Sequence, residues 1–461
     1  MTDAPTSTPA DGTAAQPDPV VGALAAVTGA LAGGGEERPG QVQMARAVAE
    51  AIADERHLIV QAGTGTGKSL AYLVPAIAAA VRQDTAQRNP VVVSTATIAL
   101  QRQLVDRDLP RLAAALTGAL PRRPTFALLK GRGNYLCLNK IHNADAGDDV
   151  LPQEELFTPA ATSALGQEVA RLTAWAAETG TGDRDELRPG VTDRAWNQVS
   201  VSARECIGVA RCPFAAECFS EKARGQAGLV DVVVTNHALL AIDAIAEAAV
   251  LPEHNLLVVD EAHELVDRVT GVATAELTAT ALGVAARRAA RLVSPELTIR
   301  LDAAVATFTS AIHDATPGRI DHLDDELATY LSTLRDAAHA ARAAINPSPV
   351  DPGAAAARAE AISALTEITD AATRMLDSFG PPIPDRTDVV WLDHEENRGS
   401  PRPVLRVAPL SVATLLSERL FARTTTVLAS ATLTIGGTFD PMARAWGLSA
   451  PDDAQGEDPP P

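Results

Sequence analysis

The chain has 461 residues, 46% of them hydrophobic, and a formal net charge of −19. That length and apolar content suit two or three domains with a large core and exclude a wholly disordered chain. No run of about 18 apolar residues occurs, which excludes a membrane-spanning helix. The acidic balance excludes a uniformly basic nucleic-acid binder, but net charge describes the whole surface and leaves a local groove open.

Residues 1–35 open with a Pro-, Ala-, Thr- and Asp-rich stretch that has neither a basic start nor an apolar h-region. It is not a secretory signal and reads as a disordered tail. With no export signal, and cysteines confined to one segment, a cytoplasmic location is expected.

Residues 36–135 alternate helical and strand patterns. Gln43 to Asp54 reads as a helix, Leu58 to Val60 as a strand, Leu70 to Val81 as a helix and Pro90 to Ser94 as a buried strand, with a further helix from Thr97. This order predicts an α/β fold with a doubly wound parallel sheet. Between the first strand and its helix lies Ala62-Gly63-Thr64-Gly65-Thr66-Gly67-Lys68-Ser69. Gly63, Thr64, Gly65, Thr66 and Gly67 form a turn whose backbone N–H groups can close around phosphate oxygens. Lys68 would neutralise the β- and γ-phosphates of ATP, and the Ser69 hydroxyl would ligate Mg²⁺. The first position of this pattern usually holds Gly and here holds Ala62. Between Gln101 and Lys140 eight basic residues face two acidic ones, a candidate nucleic-acid surface.

Residues 136–228 break the pattern and contain all four cysteines, Cys137, Cys206, Cys212 and Cys218. Four thiolates suit a [4Fe–4S] cluster or zinc. Structural zinc sites usually pair cysteines two to four residues apart. No such pair exists here, which ranks the cluster ahead of zinc. Tyr135, Phe214 and Phe219 flank the cysteines, able to stack on bases or to pack against a cluster.

Strand patterns return in 229–269, at Val230 to Thr235 and Leu256 to Asp260. The second ends in Asp260-Glu261-Ala262-His263. Asp260 is placed to hold Mg²⁺, Glu261 to orient and deprotonate the attacking water, and His263 to couple the phosphate site to a later motif. Thr235-Asn236-His237-Ala238-Leu239-Leu240 follows the insert as a further candidate motif, in which His237 reads equally as a core histidine. Residues 270–385 have helical periodicity and read as a helical insert. Residues 386–447 are read as the last part of the sheet domain, with strands at Val389 to Leu392 and Thr424 to Leu428, and 448–461 as a second disordered tail.

Taken in order, Ala62–Ser69, Asp260–His263 and Ser430-Ala431-Thr432-Leu433 resemble motifs I, II and III of superfamily 2 helicases. Arg38-Pro39-Gly40-Gln41 resembles the upstream adenine-sensing motif, with Gln41 as base reader, and Ser94-Thr95-Ala96-Thr97 resembles motif Ia, which contacts the nucleic-acid backbone. One distant and three close cysteines resemble the iron–sulfur insert of DinG-type helicases, bacterial relatives of XPD. This resemblance implies a RecA-like first motor domain, catalytic residues Lys68, Asp260, Glu261 and His263, an arch domain at 270–385, and 5′-to-3′ unwinding of single-stranded or forked DNA, often in repair. A monomer is favoured. After Leu433 the remaining residues are too few for the second motor domain such enzymes need, so the chain is expected to be truncated, to bind ATP and single-stranded DNA, and to hydrolyse slowly. Two other readings stay open: a motor on RNA or nucleoprotein, and a non-catalytic regulator.

Overall fold

The computed structural model describes residues 19–30, 38–63, 65–83, 89–143, 163–245, 250–345, 352–397 and 400–448. Its centre is a six-stranded, all-parallel sheet of β1 (Leu58–Gln61), β2 (Val91–Thr95), β3 (Phe126–Leu128), β4 (Val232–Asn236), β5 (Leu256–Asp260) and β10 (Thr425–Ser430). The strands lie in the order β1-β10-β5-β2-β4-β3. Their side chains alternate between two buried faces. Val91, Val93, Val232, Val234, Leu256 and Val258 pack with the helices Pro39–Ala53, Lys68–Arg82 and Leu109–Ala115. Val92, Val233, Leu257, Val259 and Leu428 pack with the helices His237–Ile245, Leu265–Ala273 and Ala413–Arg419. Burial on both faces explains why these strands read as continuous apolar runs rather than alternating ones. The doubly wound α/β class expected from the sequence is what the chain forms.

Three boundaries differ from the sequence reading. Residues Pro19–Gly29 form a helix that buries Ala23, Leu24 and Val27 in the sheet core, although they fall inside the stretch read as a tail. Their composition is low in charge, and docking an apolar face outweighs weak local signals. Residues 1–18, 31–37 and 449–461 lie outside the described set, and with them most of the two expected tails.

The second difference concerns the helical insert. It holds the helices Ala279–Ala290, Pro295–Asp314, Asp325–Ala344 and Pro352–Asp377, but also a four-stranded antiparallel sheet. That sheet comprises β6 (Ala275–Thr278), β7 (Gly318–Arg319), β8 (Asp388–Asn397) and β9 (Ser400–Pro409), ordered β6-β9-β8-β7. Val390, Leu392, Leu405 and Val407 cover the insert helices. The strand expected at Val389 to Leu392 is therefore present but belongs to the insert, which runs to Pro409, not to the six-stranded parallel sheet. Val390 and Leu392 are buried while Val389 and Trp391 are only half-buried, the mark of a one-sided sheet. Arg374 ties the insert together by pairing with Asp388 and donating to the Ala273 carbonyl. Third, β3 was not expected at all, because three half-buried residues give little periodicity.

The cysteine-bearing insert packs around Tyr135, Leu136, Leu172, Trp196 and Phe219. It is pinned to the sheet by Lys130, just past β3, whose buried ammonium lies 2.5 Å from Asp183 and 2.6 Å from Asp185. The two inserts touch each other through ion pairs. Arg288 of the helical insert lies 3.5 Å from Glu205, and Lys140 lies 3.3 Å from Glu360, which Arg288 also holds at 3.1 Å within the helical insert. Among the described residues no helix is long and apolar enough to cross a membrane.

Candidate nucleotide and strand site

Every motif read from the sequence after a sheet strand ends up at one edge of the sheet, the C-terminal ends of the strands, where doubly wound folds bind ligands. The phosphate loop follows β1. Gly65 and Gly67 adopt φ of +83° and +79°, and Gly67 opens the helix Lys68–Arg82. Gly67 is constrained twice: a Cβ there would sit 2.0 Å from the Gln41 side chain. Gln41 is buried and donates its amide to the Gly67 carbonyl at 2.9 Å, while Arg38 donates to the Gly65 carbonyl. The stretch Arg38–Gln41 thus braces the loop from behind. Thr66 folds back to the Gly63 carbonyl at 2.8 Å, and Thr64 lies outside the described residues.

Lys68 reaches across the sheet edge. Its ammonium is 2.6 Å from Glu261 Oε1 and 3.2 Å from Asp260 Oδ1, joining two motifs 193 positions apart. Asp260 ends β5 and is buried, which raises its pKa; the Lys68 charge offsets this only in part. Burial also pushes Glu261 upward, but the Lys68 hydrogen bond and charge, with the Ser430 hydroxyl, outweigh it and hold that carboxyl below its usual range. Glu261 itself stands at φ +56°, a left-handed conformation that costs a non-glycine residue of order 1 kcal/mol.

The third motif closes the site from β10, the neighbour of β5. Ser430 Oγ donates to Glu261 at 3.1 Å and lies 2.8 Å from His263 Nδ1. His263 is thus linked to both the acidic pair and the following motif. Two contacts here were missed from sequence. Gln61, the last residue of β1, accepts from the backbone of Leu433 and Thr434 at 2.7 and 2.8 Å and fixes the loop beyond β10. Tyr72, one turn after Ser69, is fully buried; burial and then the charge of Asp260 push its phenol well up. No motif marks either residue, although helical spacing from Ser69 would have placed Tyr72 against the same wall.

After β2, the Ser94–Thr97 segment turns into the helix Ile98–Arg102, whose first turn Thr97 caps by accepting from Leu100 N at 3.2 Å. His237 is almost fully buried and its Nδ1 lies 2.7 Å from Ser94 Oγ, so it is a core histidine that also contacts the candidate strand-binding segment.

The four cysteines line one cavity, with Arg132, Tyr135, Leu136 and Phe214 among its other walls. Burial, then the neighbouring thiols, push the Cys137 thiol up to about 11. Among the described residues no set of three Cys, His, Asp or Glu side chains stands at metal-binding distance. The cavity nonetheless collects an all-sulfur donor set, and mutually opposed thiolates are the groups a bound metal would stabilise.

Two expectations about nucleic acid change. Most of the basic window is engaged within the protein: Arg122 pairs with Asp231, Lys130 with Asp183 and Asp185, Arg132 with Glu221, Lys140 with Glu360 and Arg107 with Asp108, and Arg102 donates to the Asp185 carbonyl. It is therefore largely a set of internal braces, not a free basic face. Of the three aromatics, Tyr135 is buried with its hydroxyl accepting from Lys130 N, Phe219 is buried, and only Phe214 lies outermost, stacked on His142 with ring centroids 4.7 Å apart.

Residues 41–121 match the model of the DEAD/DEAH box helicase family. The chain is 69% identical over 92% of its length to a Mycobacterium tuberculosis protein named ATP-dependent helicase DinG, of which it spans 64%. It is 39% identical over 51% of its length to the Escherichia coli ATP-dependent DNA helicase YoaA, covering 34% of that protein. A solved XPD helicase structure aligns with 90% of the chain and 61% of its own length, at 14% identity and a TM-score of 0.45.

Proposed function

We propose that the chain is the nucleotide- and strand-binding portion of an ATP-dependent DNA helicase of the DinG type, a reading supported by its 69% identity to a protein of that name and by the DEAD/DEAH box match. The observation that carries the proposal is the Lys68 ammonium held between Asp260 and Glu261 at the mouth of the phosphate loop. In a P-loop motor these three groups meet only if the phosphate loop and the acidic strand end serve one site.

In this reading the backbone of Gly63–Gly67, Thr64 included, cradles the phosphates and Lys68 leaves the carboxylates to neutralise them. Ser69 and Asp260 would hold Mg²⁺, which when bound offsets phosphate charge. Glu261 orients and deprotonates the attacking water. His263 and Ser430 pass the state of that carboxylate to the β10 loop, and Gln41, braced on Gly67, reads the adenine side. Cys137, Cys206, Cys212 and Cys218 would hold a [4Fe–4S] cluster that supports the insert as part of the strand path. The Ser94–Thr97 segment and the two inserts joined through Arg288 line that path. The direction, 5′-to-3′, the role in DNA repair and the cytoplasmic location belong to the same proposal.

The test is an equilibrium titration of the 461-residue chain with a fluorescent, non-hydrolysable ATP analogue and Mg²⁺. One saturable site per chain, competed by ATP, is expected. No saturable binding would sink the reading.

A further inference from the structure

His237 occupies a position no nucleotide or strand motif assigns. Asn236, the last residue of β4, caps the following helix by accepting from Leu239 N at 2.8 Å, so His237 is locked in the first helical turn. Beside β4 runs β2, with Ser94 level with Thr235, and beyond it β5, with Ser94 level with Val259. The imidazole therefore lies across the end of β2, between Ser94 and the turn that begins at Asp260.

One edge of the ring is engaged and the other faces the turn. Nδ1 lies 2.7 Å from the fully buried Ser94 hydroxyl. Burial pushes the ring down to about 4, against the main-chain carbonyls of Glu261 and Asp260, which work to raise it. The ring is thus neutral at pH 7, with one donor and one acceptor. With Nδ1 accepting from Ser94, Nε2 carries the proton and faces those carbonyls. Nε2 is buried and makes no completed hydrogen bond. A buried donor left without a partner is destabilising, which favours any shift that gives it one. The turn it faces contains Glu261 in its left-handed conformation. An unsatisfied donor beside a strained turn can complete its bond through a small shift of either neighbour.

We infer that His237 is a positioning residue that couples the strand-contacting segment at Ser94 to the hydrolytic turn at Asp260 and Glu261. Strand binding that shifts Ser94 moves the imidazole, Nε2 completes its bond to the turn, and Glu261 is released from Lys68 as phosphate arrives. This rests on the reading of the chain as an ATP- and single-strand-binding motor. It differs from a plain core role, in which His237 fills space and affects only folding.

The experiment measures the Kd of the Mg-ATP analogue on the full chain with and without a saturating oligothymidylate. Linkage makes the ratio a coupling factor, expected at about 5-fold or more for the unmodified chain. His237→Asn keeps a partner for Ser94 but cannot reach the turn. His237→Gln can reach it, and His237→Ala does neither. The Asn and Ala variants are expected to bring the ratio to within about 2-fold of unity, with each ligand alone bound within about 3-fold of the unmodified chain. The Gln variant is expected to restore most of the ratio. An unchanged ratio in the Asn and Ala variants overturns the inference, and so does a ratio of one in the unmodified chain. Parallel loss of folding and of both affinities in all three variants assigns a structural role and overturns it too. If the unmodified chain fails to bind the analogue or the oligonucleotide, it is the proposed function that fails.

Discussion

Replacing Lys68 by alanine is expected to weaken binding of the Mg-ATP analogue about 100-fold, since a charge-assisted contact to phosphate contributes about 3 kcal/mol. The same change is expected to destabilise the nucleotide-free chain. The Lys68 side chain is 13% exposed and its partner Asp260 only 4%. Removing one member of a buried pair typically costs about 3–5 kcal/mol, and here two carboxylates are left facing each other. One consequence separates this from general damage. Mg²⁺ alone can take over the lysine's place between Asp260 and Glu261, so it should raise the melting temperature of Lys68→Ala more than that of the unmodified chain. Unchanged nucleotide affinity in Lys68→Ala would show that the loop at 62–69 is not the phosphate site.

Replacing Cys137 by serine is expected to strip the chain of its metal. Purified without oxygen, the unmodified chain should carry about four irons and absorb near roughly 400 nm, whereas Cys137→Ser should carry less than about one and lose the band. Nucleotide affinity should change by less than about 3-fold, because the cysteine insert packs around its own core, separate from the one beneath the phosphate loop. Strand binding should fall with the iron. One zinc and no iron per unmodified chain would replace the cluster with the alternative that four thiolates also suit.

Much of the parallel-sheet domain could be read from sequence because its strands are buried on both faces and its motifs follow them directly. Val91 to Thr95 and Leu256 to Asp260 are apolar runs of the right length, and each ends where chemistry begins. What could not be read was which distant residues meet. Arg122 looked like one more solvent-facing cation until Asp231, 109 positions later, took its charge. The same holds for Lys130 with Asp183, so an apparent basic surface became a set of braces. The strand at Val389 to Leu392 was visible, but a strand pattern does not name its sheet. Its alternating burial, unlike the continuous burial of β2, appears only in the structure, because the residues themselves are as continuously apolar as those of a two-sided strand. The helix Pro19–Gly29 was lost for a different reason: its Ala, Val and Gly content gives weak local preference, and it is ordered by the core it joins. His237 could be singled out from its motif, but the contact with Ser94 that gives it meaning spans 143 positions.

In the proposed function one chain joins an ATP site to a path for a single DNA strand. Fluorescence anisotropy of a labelled oligothymidylate, titrated with the iron-loaded 461-residue chain, tests it most directly. Saturable binding is expected that weakens with added salt, exceeds binding to a blunt duplex of equal length, and changes in affinity when the Mg-ATP analogue is present. Equal affinity for strand and duplex, with no response to the analogue, would contradict it.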